Sequence, residues 1–144
     1  KEIINSFQEI SEKKFTLIND KDNNLIKFNR SLEINYGLRN FIGNANKFSN
    51  KEIRITIVTN NEYSIIYISD DGPGFPKDII DKIGEPYIKS KFNKDSSKAG
   101  LGLGTFIGKT LLEKNNAQIK FKNLENNQGA LVEVRWLNSD LKKI

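Results

Sequence analysis

The sequence contains no cysteine, no histidine and no methionine among its 144 residues. Without cysteine the chain can form neither disulfides nor thiolate metal sites, and it has no cysteine nucleophile. Without histidine, Ser-His-Asp and Cys-His catalysis are excluded. No apolar run approaches the roughly 20 residues that a membrane-spanning helix needs, and no signal-peptide pattern is present. Because the chain lacks methionine and starts at Lys1, we expect it to be a piece of a longer protein.

The basic side chains are scattered rather than clustered. The net charge is +5, and most of the basic residues are lysines spread among asparagines and isoleucines. Proteins that bind nucleic acids typically concentrate their positive charge in a patch. We therefore expect no direct binding of nucleic acid.

The hydrophobic pattern predicts one domain in which strands and helices alternate. A chain of 144 residues with 37% hydrophobic content is large enough for a single globular core. Strand pairs joined by polar turns, together with helices that carry apolar stripes, favour an α/β two-layer sandwich. We expect a mixed, mostly antiparallel sheet with the helices packed on one face. The predicted strands lie near residues 14–19, 25–28, 52–60, 63–70, 117–123 and 130–137, and the predicted helices near 32–48, 77–83 and from the glycine run to about 115; residues 1–13 also show helical spacing.

A glycine-rich stretch at residues 98–110, KAGLGLGTFIGKT, runs directly into an apolar helix. It matches neither the P-loop nor the dinucleotide fingerprint, because a glycine that each motif requires is replaced by leucine or isoleucine. What remains is G-x-G-x-G at Gly100, Gly102 and Gly104. Such glycines let backbone N–H groups turn toward an anion, and a helix N-terminus adds partial positive charge. The stretch is either a phosphate cradle or a tight hinge before a core helix.

The predicted helix at residues 32–48 carries two stripes. One is apolar and has the i, i+3, i+4, i+7 spacing of a helix that faces a core. The other places Asn40, Asn44 and Lys47 on roughly the opposite face. Most such faces are simply solvated, yet asparagine is a poor helix former. Two amide oxygens one turn apart beside a lysine favour the alternative of hard-oxygen chemistry, such as Mg²⁺ with phosphate.

The loop SDDGPGF follows a predicted strand directly and contains Asp70, Gly72 and Gly74 in the pattern D-x-G-x-G. Aspartate, glycine and proline all favour an ordinary β-turn. The alternative is a binding loop in which the carboxylate accepts a hydrogen bond from a ligand amine. In that case the glycines let the ligand approach the backbone.

The three motifs occur in the order N-x-x-x-N-x-x-K-F, D-x-G-x-G and G-x-G-x-G. Together they resemble the ATP-binding catalytic domain of sensor histidine kinases, within the gyrase, heat-shock chaperone, kinase and MutL-type ATPase superfamily. The resemblance covers about residues 15–137. The stretches RSLEINYGLRNFIGNANKF, DDGPGF, GEPYIKSK and GLGLGTFIGKTLLEK look closest to the redox-responsive RegB/PrrB class. The resemblance implies a Bergerat-type sandwich over residues 14–144, with a mobile ATP lid near 92–99. Residues 1–13 would then be a linker or the tail of a preceding helical domain.

The resemblance also implies a site for ATP and Mg²⁺. Asp70 would accept a hydrogen bond from the adenine amino group, and Gly72 and Gly74 would frame the base. Asn44 would coordinate the Mg²⁺ that bridges the phosphates, with Asn40 close by. The residues implied to bind ATP are Asn40, Asn44, Lys47, Phe48, Asp70, Gly72, Gly74, Tyr87, Lys91, Gly100, Leu101, Gly102, Leu103, Gly104 and Thr105.

Some of these positions depart from the family pattern. Phe48 would lie against the adenine or the ribose where such kinases often carry tyrosine, so a hydroxyl contact is lost. Thr105 replaces the commoner leucine and Gly108 the commoner alanine, which leaves smaller or more polar packing on that helix.

The resemblance also implies two catalytic residues, Lys91 and Asn40. Lys91, at the end of PYIKSK, would reach the γ-phosphate.

Asn40 distinguishes the branches of the superfamily. Members that hydrolyse ATP carry a glutamate there as the general base for water, and an amide cannot take a proton. Phosphoryl transfer to another acceptor is therefore favoured over hydrolysis. In sensor kinases the acceptor is a histidine on a dimeric helical domain that precedes this one. Because this sequence has no histidine, the resemblance implies that the acceptor lies before Lys1.

The resemblance implies partners as well: ATP and ADP, the dimerisation and phosphoacceptor domain of the same parent chain, and a response regulator. The fragment would be a cytoplasmic part of a parent protein in the inner membrane. Two alternatives stay open. One is a clamp-type ATPase that dimerises on ATP, and the other is a non-catalytic interaction module that retains the fold.

Overall fold

The computed structural model describes residues 1–19, 29–85 and 103–144. Within these ranges the chain forms a layer of strands and a layer of helices. The strands are β1 (Lys14–Asn19), β2 (Glu52–Thr59), β3 (Tyr63–Asp70), β4 (Gln118–Asn123) and β5 (Ala130–Leu137). The helices are α1 (Glu2–Gln8), α2 (Leu32–Phe48), α3 (Leu103–Lys114) and α4 (Asn138–Leu141).

The sheet is mixed and mostly antiparallel, as the sequence predicts. The strand order is β1-β2-β3-β5-β4. β1 pairs with β2 in parallel, whereas β2 with β3, β3 with β5 and β4 with β5 are antiparallel. β3 is therefore the central strand, paired on both sides along most of its length. Its last residue, Asp70, is held in place by the neighbouring strands.

The core lies between the sheet and the helices. Along β5, every second residue from Ala130 to Trp136 is buried, which is the alternation of a strand with one face on a core. The predicted apolar stripe of α2 is buried against it. Burial of each large aliphatic side chain contributes about 1.5–3 kcal/mol. The most completely buried side chains are those of Phe41, Ile53, Ile68, Thr105, Leu112 and Val134.

Helix α2 has well-defined ends. It begins after Ser31, whose side-chain oxygen accepts a hydrogen bond from the backbone N–H of Ile34 at 3.2 Å, a normal N-cap. At the other end the Lys13 ammonium donates to the backbone oxygens of Asn46 and Ser49. A cation at the C-terminus of a helix is electrostatically favourable. α2 therefore runs its full predicted length.

α2 and α3 cross at two glycines. A Cβ atom on Gly37 would lie 2.7 Å from Cγ of Leu112 and 3.1 Å from the backbone oxygen of Gly108. A Cβ on Gly108 would lie 3.2 Å from the backbone oxygen of Gly37. Any larger residue would push the helices apart. The crossing thus brings the polar stripe of α2 against the first turn of α3.

Residues 1–13 pack against the domain. Ile4 is buried in the main core, and the Phe7 ring stacks on Phe15 with centroids 6.1 Å apart. The helix ends at Gln8, and Ile10, which extends the helical spacing in the sequence, is 81% exposed. The proposed domain boundary at residue 13 stays a prediction.

Two other predicted elements differ or cannot be assessed. The predicted helix at 77–83 is wrong in type and length, because only a short 3₁₀ turn at Ile80–Lys82 forms there. The predicted strand at 25–28 lies outside the described residues. Among the described helices, none combines the length and hydropathy required to cross a membrane.

Candidate functional site

Asp70 ends β3 and is 8% exposed. Its Oδ1 accepts hydrogen bonds from the backbone N–H of Gly72 at 2.8 Å and of Ala130 at 3.4 Å. Burial raises the pKa of the Asp70 carboxyl above the ordinary aspartate value, and these two hydrogen bonds offset part of the rise. No residue in the described part of the chain donates to Oδ2, so this oxygen is able to accept from a ligand.

The loop that follows lies against the end of α2. A Cβ atom on Gly72 would lie 2.2 Å from the backbone oxygen of Phe48, closer than any side chain allows. Gly74 has a φ of 81°, in the left-handed region that favours glycine. Both glycines of the D-x-G-x-G motif are therefore required by the local backbone.

Asn123 and Gly129 also hold this loop, and neither belongs to a motif recognised in the sequence. The Asn123 side chain bonds to the backbone of Phe75, and Oδ1 of Asn123 lies only 2.7 Å from where a Cβ on Gly74 would be. Gly129 has a φ of 130°, and its Cβ would lie 1.7 Å from the backbone oxygen of Asp70. The available signal was weak: an asparagine that ends a strand and a glycine that ends a polar turn.

Asn40 and Asn44 face α3 instead of open solvent. Both side chains are partly buried. Asn40 Nδ2 donates to the backbone oxygen of Tyr36 at 2.9 Å, and Asn44 Nδ2 donates to Oγ1 of Thr105 at 2.8 Å. Asn40 Oδ1 lies 3.5 Å from the Cβ position of Gly104. The asparagine pair and the start of α3 thus form one polar patch.

The remaining predicted residues fall into two groups. Lys47 is exposed, with its ammonium 5.6 Å from the ring centroid of Phe48, so the charge lies over an aromatic face. Leu103 is 50% exposed at the start of α3. Tyr87, Lys91, Gly100, Leu101, Gly102 and the predicted lid lie outside the described residues.

A divalent cation fits the asparagine pair only with help from a ligand. Because both amides use their nitrogens as donors, their oxygens are available as hard ligands of the kind that Mg²⁺ prefers. The described residues contain no group of three or more His, Cys, Asp or Glu that could hold a metal alone. Most of the coordination shell would therefore come from phosphate oxygens and water.

α2 joins the motifs that are far apart in the sequence. Its middle, at Asn40 and Asn44, faces Gly104 and Thr105 of α3, and its end, at Phe48, touches the loop of Gly72. At the end of α2, the buried Asp70 carboxylate is an acceptor that suits a base. At the middle of α2, the amide oxygens of Asn40 and Asn44 lie beside the start of α3, an arrangement that suits phosphates. The fold and the site together define a two-layer α/β domain with a candidate site for a nucleotide.

Comparison with known proteins identifies the family. Residues 30–140 match the model of the family described as Histidine kinase-, DNA gyrase B-, and HSP90-like ATPase, and the chain belongs to this family. It is 37% identical over 122 residues to the sensor histidine kinase RegB of Cereibacter sphaeroides, in an alignment that covers 74% of this chain and 26% of RegB. The chain thus spans about a quarter of the length of this relative.

Solved structures agree on the fold. The mycobacterial sensor histidine kinase MprB superposes with a TM-score of 0.74 at 17% identity, covering 94% of this chain and 93% of that one. Full-length ShkA in complex with AMPPNP gives a TM-score of 0.72 at 21% identity, covering 93% of this chain and 28% of ShkA. These likenesses confirm the predicted α/β sandwich.

Proposed function

We propose that the chain binds ATP with Mg²⁺ and supplies the γ-phosphoryl group to a histidine on a separate dimerisation domain of a two-component sensor kinase. The observation that carries this proposal is the convergence on α2 of the asparagine pair, the Asp70 loop and the start of α3. The 37% identity to RegB, a sensor histidine kinase, supports the kinase branch of the family. That ShkA was solved with AMPPNP supports the choice of ligand.

At the adenine end, Asp70 provides the acceptor. Its Oδ1 is held by Gly72 and Ala130, so the carboxylate cannot rotate freely. Its Oδ2 would accept from the amino group of the base. Burial strengthens that hydrogen bond because water competes less for the carboxylate. Gly72 and Gly74 keep side chains out of the plane in which the base lies, and Phe48 provides an apolar contact.

At the phosphate end, the amide oxygens of Asn44 and Asn40 would hold the metal from the protein side. Bound Mg²⁺ would neutralise the charge on the phosphate oxygens during transfer. The N-terminus of α3, where the aligned peptide dipoles place partial positive charge, would favour the same anionic groups. Lys47 adds positive charge beside Phe48. Tyr87, Lys91, Gly100, Leu101 and Gly102 complete the proposed phosphate contacts, with Lys91 on the γ-phosphate.

Asn40 directs the reaction away from water. Its Nδ2 donates to the backbone oxygen of Tyr36, and an amide has no basic site for a water proton. The chain contains no histidine, so the acceptor must be supplied from elsewhere. In this proposal the partners are the phosphoacceptor domain and a response regulator, and the fragment is the cytoplasmic part of an inner-membrane protein.

Calorimetric titration tests the proposal. The chain is titrated with ADP and with AMPPNP, each with Mg²⁺ and with EDTA, beside the variant Asp70→Asn. We expect dissociation constants from micromolar to sub-millimolar, about −4 to −8 kcal/mol, and a large loss of affinity in Asp70→Asn. Because the oxygen of the asparagine would stay bonded to Gly72 and Ala130, its NH₂ group would face the amino group of adenine, and two donors cannot bond to each other.

Two results would contradict the proposal in different ways. Absence of binding by the wild type under every metal condition would leave the fold without a nucleotide function and favour the interaction module. Steady release of phosphate from ATP by the chain alone would favour the clamp-type ATPase. A guanine nucleotide serves as the control for base recognition, and we expect it to bind far more weakly than ADP.

A further inference from the structure

One hydrogen bond joins the proposed metal ligand to α3. Nδ2 of Asn44 donates to Oγ1 of Thr105 at 2.8 Å, across 61 positions of sequence. Thr105 is 1% exposed, among the most completely buried side chains described. A side chain so buried has little surface left for a nucleotide. Its hydroxyl is nevertheless in direct contact with the residue that would bind the metal.

An asparagine amide has a donor end and an acceptor end, and it can rotate to exchange them. A fixed acceptor at the nitrogen sets which way the oxygen points. The amide of Asn40, one turn earlier, is oriented in the same way, because its Nδ2 donates to the backbone oxygen of Tyr36. Within the described ranges, no residue donates to either Oδ1 atom. Two amide oxygens one turn apart are thus presented as ligands, each held by a bond to its own nitrogen.

We propose that Thr105 is a positioning residue, whose hydroxyl holds the Asn44 amide with Oδ1 directed at the divalent cation that accompanies the nucleotide. This inference rests on the proposed function and deepens it. Groups that orient a metal ligand commonly change metal affinity 10–100-fold when they are removed. The effect should therefore be larger on binding in the presence of the metal than on metal-free binding.

The variants Thr105→Val and Thr105→Ser separate the hydroxyl from the packing. Valine has nearly the shape of threonine but no hydroxyl, so it fills the same space and leaves Asn44 Nδ2 without its acceptor. Serine keeps the hydroxyl and loses the methyl group. Each protein is titrated with AMPPNP in Mg²⁺ and in EDTA. The quantity compared between proteins is the affinity in Mg²⁺ divided by the affinity in EDTA. Thermal unfolding of all three proteins shows that each is folded.

We expect the ratio of the affinity in Mg²⁺ to that in EDTA to fall about 10-fold in Thr105→Val and to be retained in Thr105→Ser. NMR of the nucleotide-free proteins gives a second readout. The side-chain amide resonance of Asn44, assigned by its loss in Asn44→Ala, should shift in Thr105→Val and stay near its wild-type position in Thr105→Ser.

An unchanged ratio in Thr105→Val would overturn the inference, as would an equal loss in Thr105→Ser, since the methyl group would then matter and not the hydroxyl. Equal losses in Mg²⁺ and EDTA would also overturn it, because they indicate a change in the shape of the site. Wild type that binds AMPPNP in neither condition would refute the proposed function, and this inference with it. Wild type that binds with a clear Mg²⁺ effect, beside an unchanged Thr105→Val, would refute the inference alone.

Discussion

The side chain of Asn123 is hydrogen-bonded to both backbone polar groups of Phe75. Its Oδ1 accepts from the N–H at 2.6 Å, and its Nδ2 donates to the carbonyl oxygen at 2.9 Å. The amide thus joins the end of β4 to the loop after Asp70. The Phe75 ring makes an edge-on contact with Phe121, centroids 5.7 Å apart, on the same strand. Two separate interactions therefore hold this loop to β4.

Asn123→Ala should loosen the loop and weaken nucleotide binding. It removes both hydrogen bonds and leaves two partly buried backbone groups without them, so we expect the free energy of unfolding to fall by about 1–3 kcal/mol. Denaturant unfolding, calorimetry with ADP and amide exchange at Phe75 measure the three effects. Lys120→Ala, an exposed change on the same strand, is the control and should alter none of them. If the Phe75 amide exchanged at the wild-type rate in Asn123→Ala, the prediction would be contradicted.

Gly72→Ala should disrupt the site. Its Cβ would lie 2.2 Å from the backbone oxygen of Phe48 and 3.0 Å from Oδ1 of Asp70, so the backbone must move. We expect the free energy of unfolding to fall by at least ~2 kcal/mol. We also expect that binding of ADP is no longer measurable. Denaturant unfolding and calorimetry test this.

Gly43→Ala is the matched control for Gly72→Ala. The nearest heavy atom to a Cβ on Gly43 is Cζ of Phe7 at 3.7 Å, an ordinary contact. Since Gly43 lies inside α2, alanine should stabilise the helix by about 0.5–1 kcal/mol. If both variants behaved alike, the close approach of Gly72 to Phe48 would not be what matters.

Affinity for adenine nucleotides should fall as the pH is lowered through the raised pKa of Asp70. Burial raises that pKa, so the carboxylate takes up a proton at a higher pH than an exposed aspartate does. Once protonated, it is a poorer acceptor for the adenine amino group. Calorimetry of ADP binding across the acid range should show this decline in the wild type. A wild-type affinity that stayed constant down to the ordinary aspartate range would contradict it.

The same pKa predicts that Asp70→Asn keeps its stability. Because the pKa is higher in the folded state than in the unfolded state, the stabilisation from proton binding is present below the unfolded pKa and is lost as the pH rises through the folded one. At neutral pH the buried charge is therefore unfavourable. We expect Asp70→Asn to unfold at the same or a higher denaturant concentration than wild type at pH 7. Marked destabilisation there would contradict the prediction.

Asn138→Ala should destabilise the domain without affecting the site. Asn138 Oδ1 accepts from the buried Ser64 hydroxyl at 2.8 Å, and its Nδ2 donates to the backbone oxygen of Asn60 at 2.7 Å. We expect a loss of about 1–3 kcal/mol in denaturant unfolding. Ser64 and Asp70 lie roughly 20 Å apart along β3, so ADP affinity should not change. Ser139→Ala, an exposed neighbour, is the control. If it were equally destabilising, the hydrogen bonds of Asn138 to Ser64 and Asn60 would not be the cause of the effect.

The positions of most elements could be read from the sequence. The helix at 32–48 and the strand pair at 52–60 and 63–70 were predicted to within a residue of the bounds in the structure, because hydrophobic periodicity and capping depend on near neighbours. The 3₁₀ turn at 80–82 was overestimated as a helix, since a short apolar spacing in a Pro- and Gly-rich region does not nucleate one. The roles of the predicted site residues remain predictions.

The sequence by itself determined the candidate residues for the chemistry: Asp70 with its glycines, the asparagine pair and the glycine run. Only the tertiary structure decided how they are held. That Asn44 donates to Thr105, that Gly72 touches Phe48 and that Asn123 binds Phe75 depend on contacts between residues 24 to 61 positions apart. Local propensity carries no information about such partners, because they are set by the strand order and by the crossing of α2 and α3 at Gly37 and Gly108.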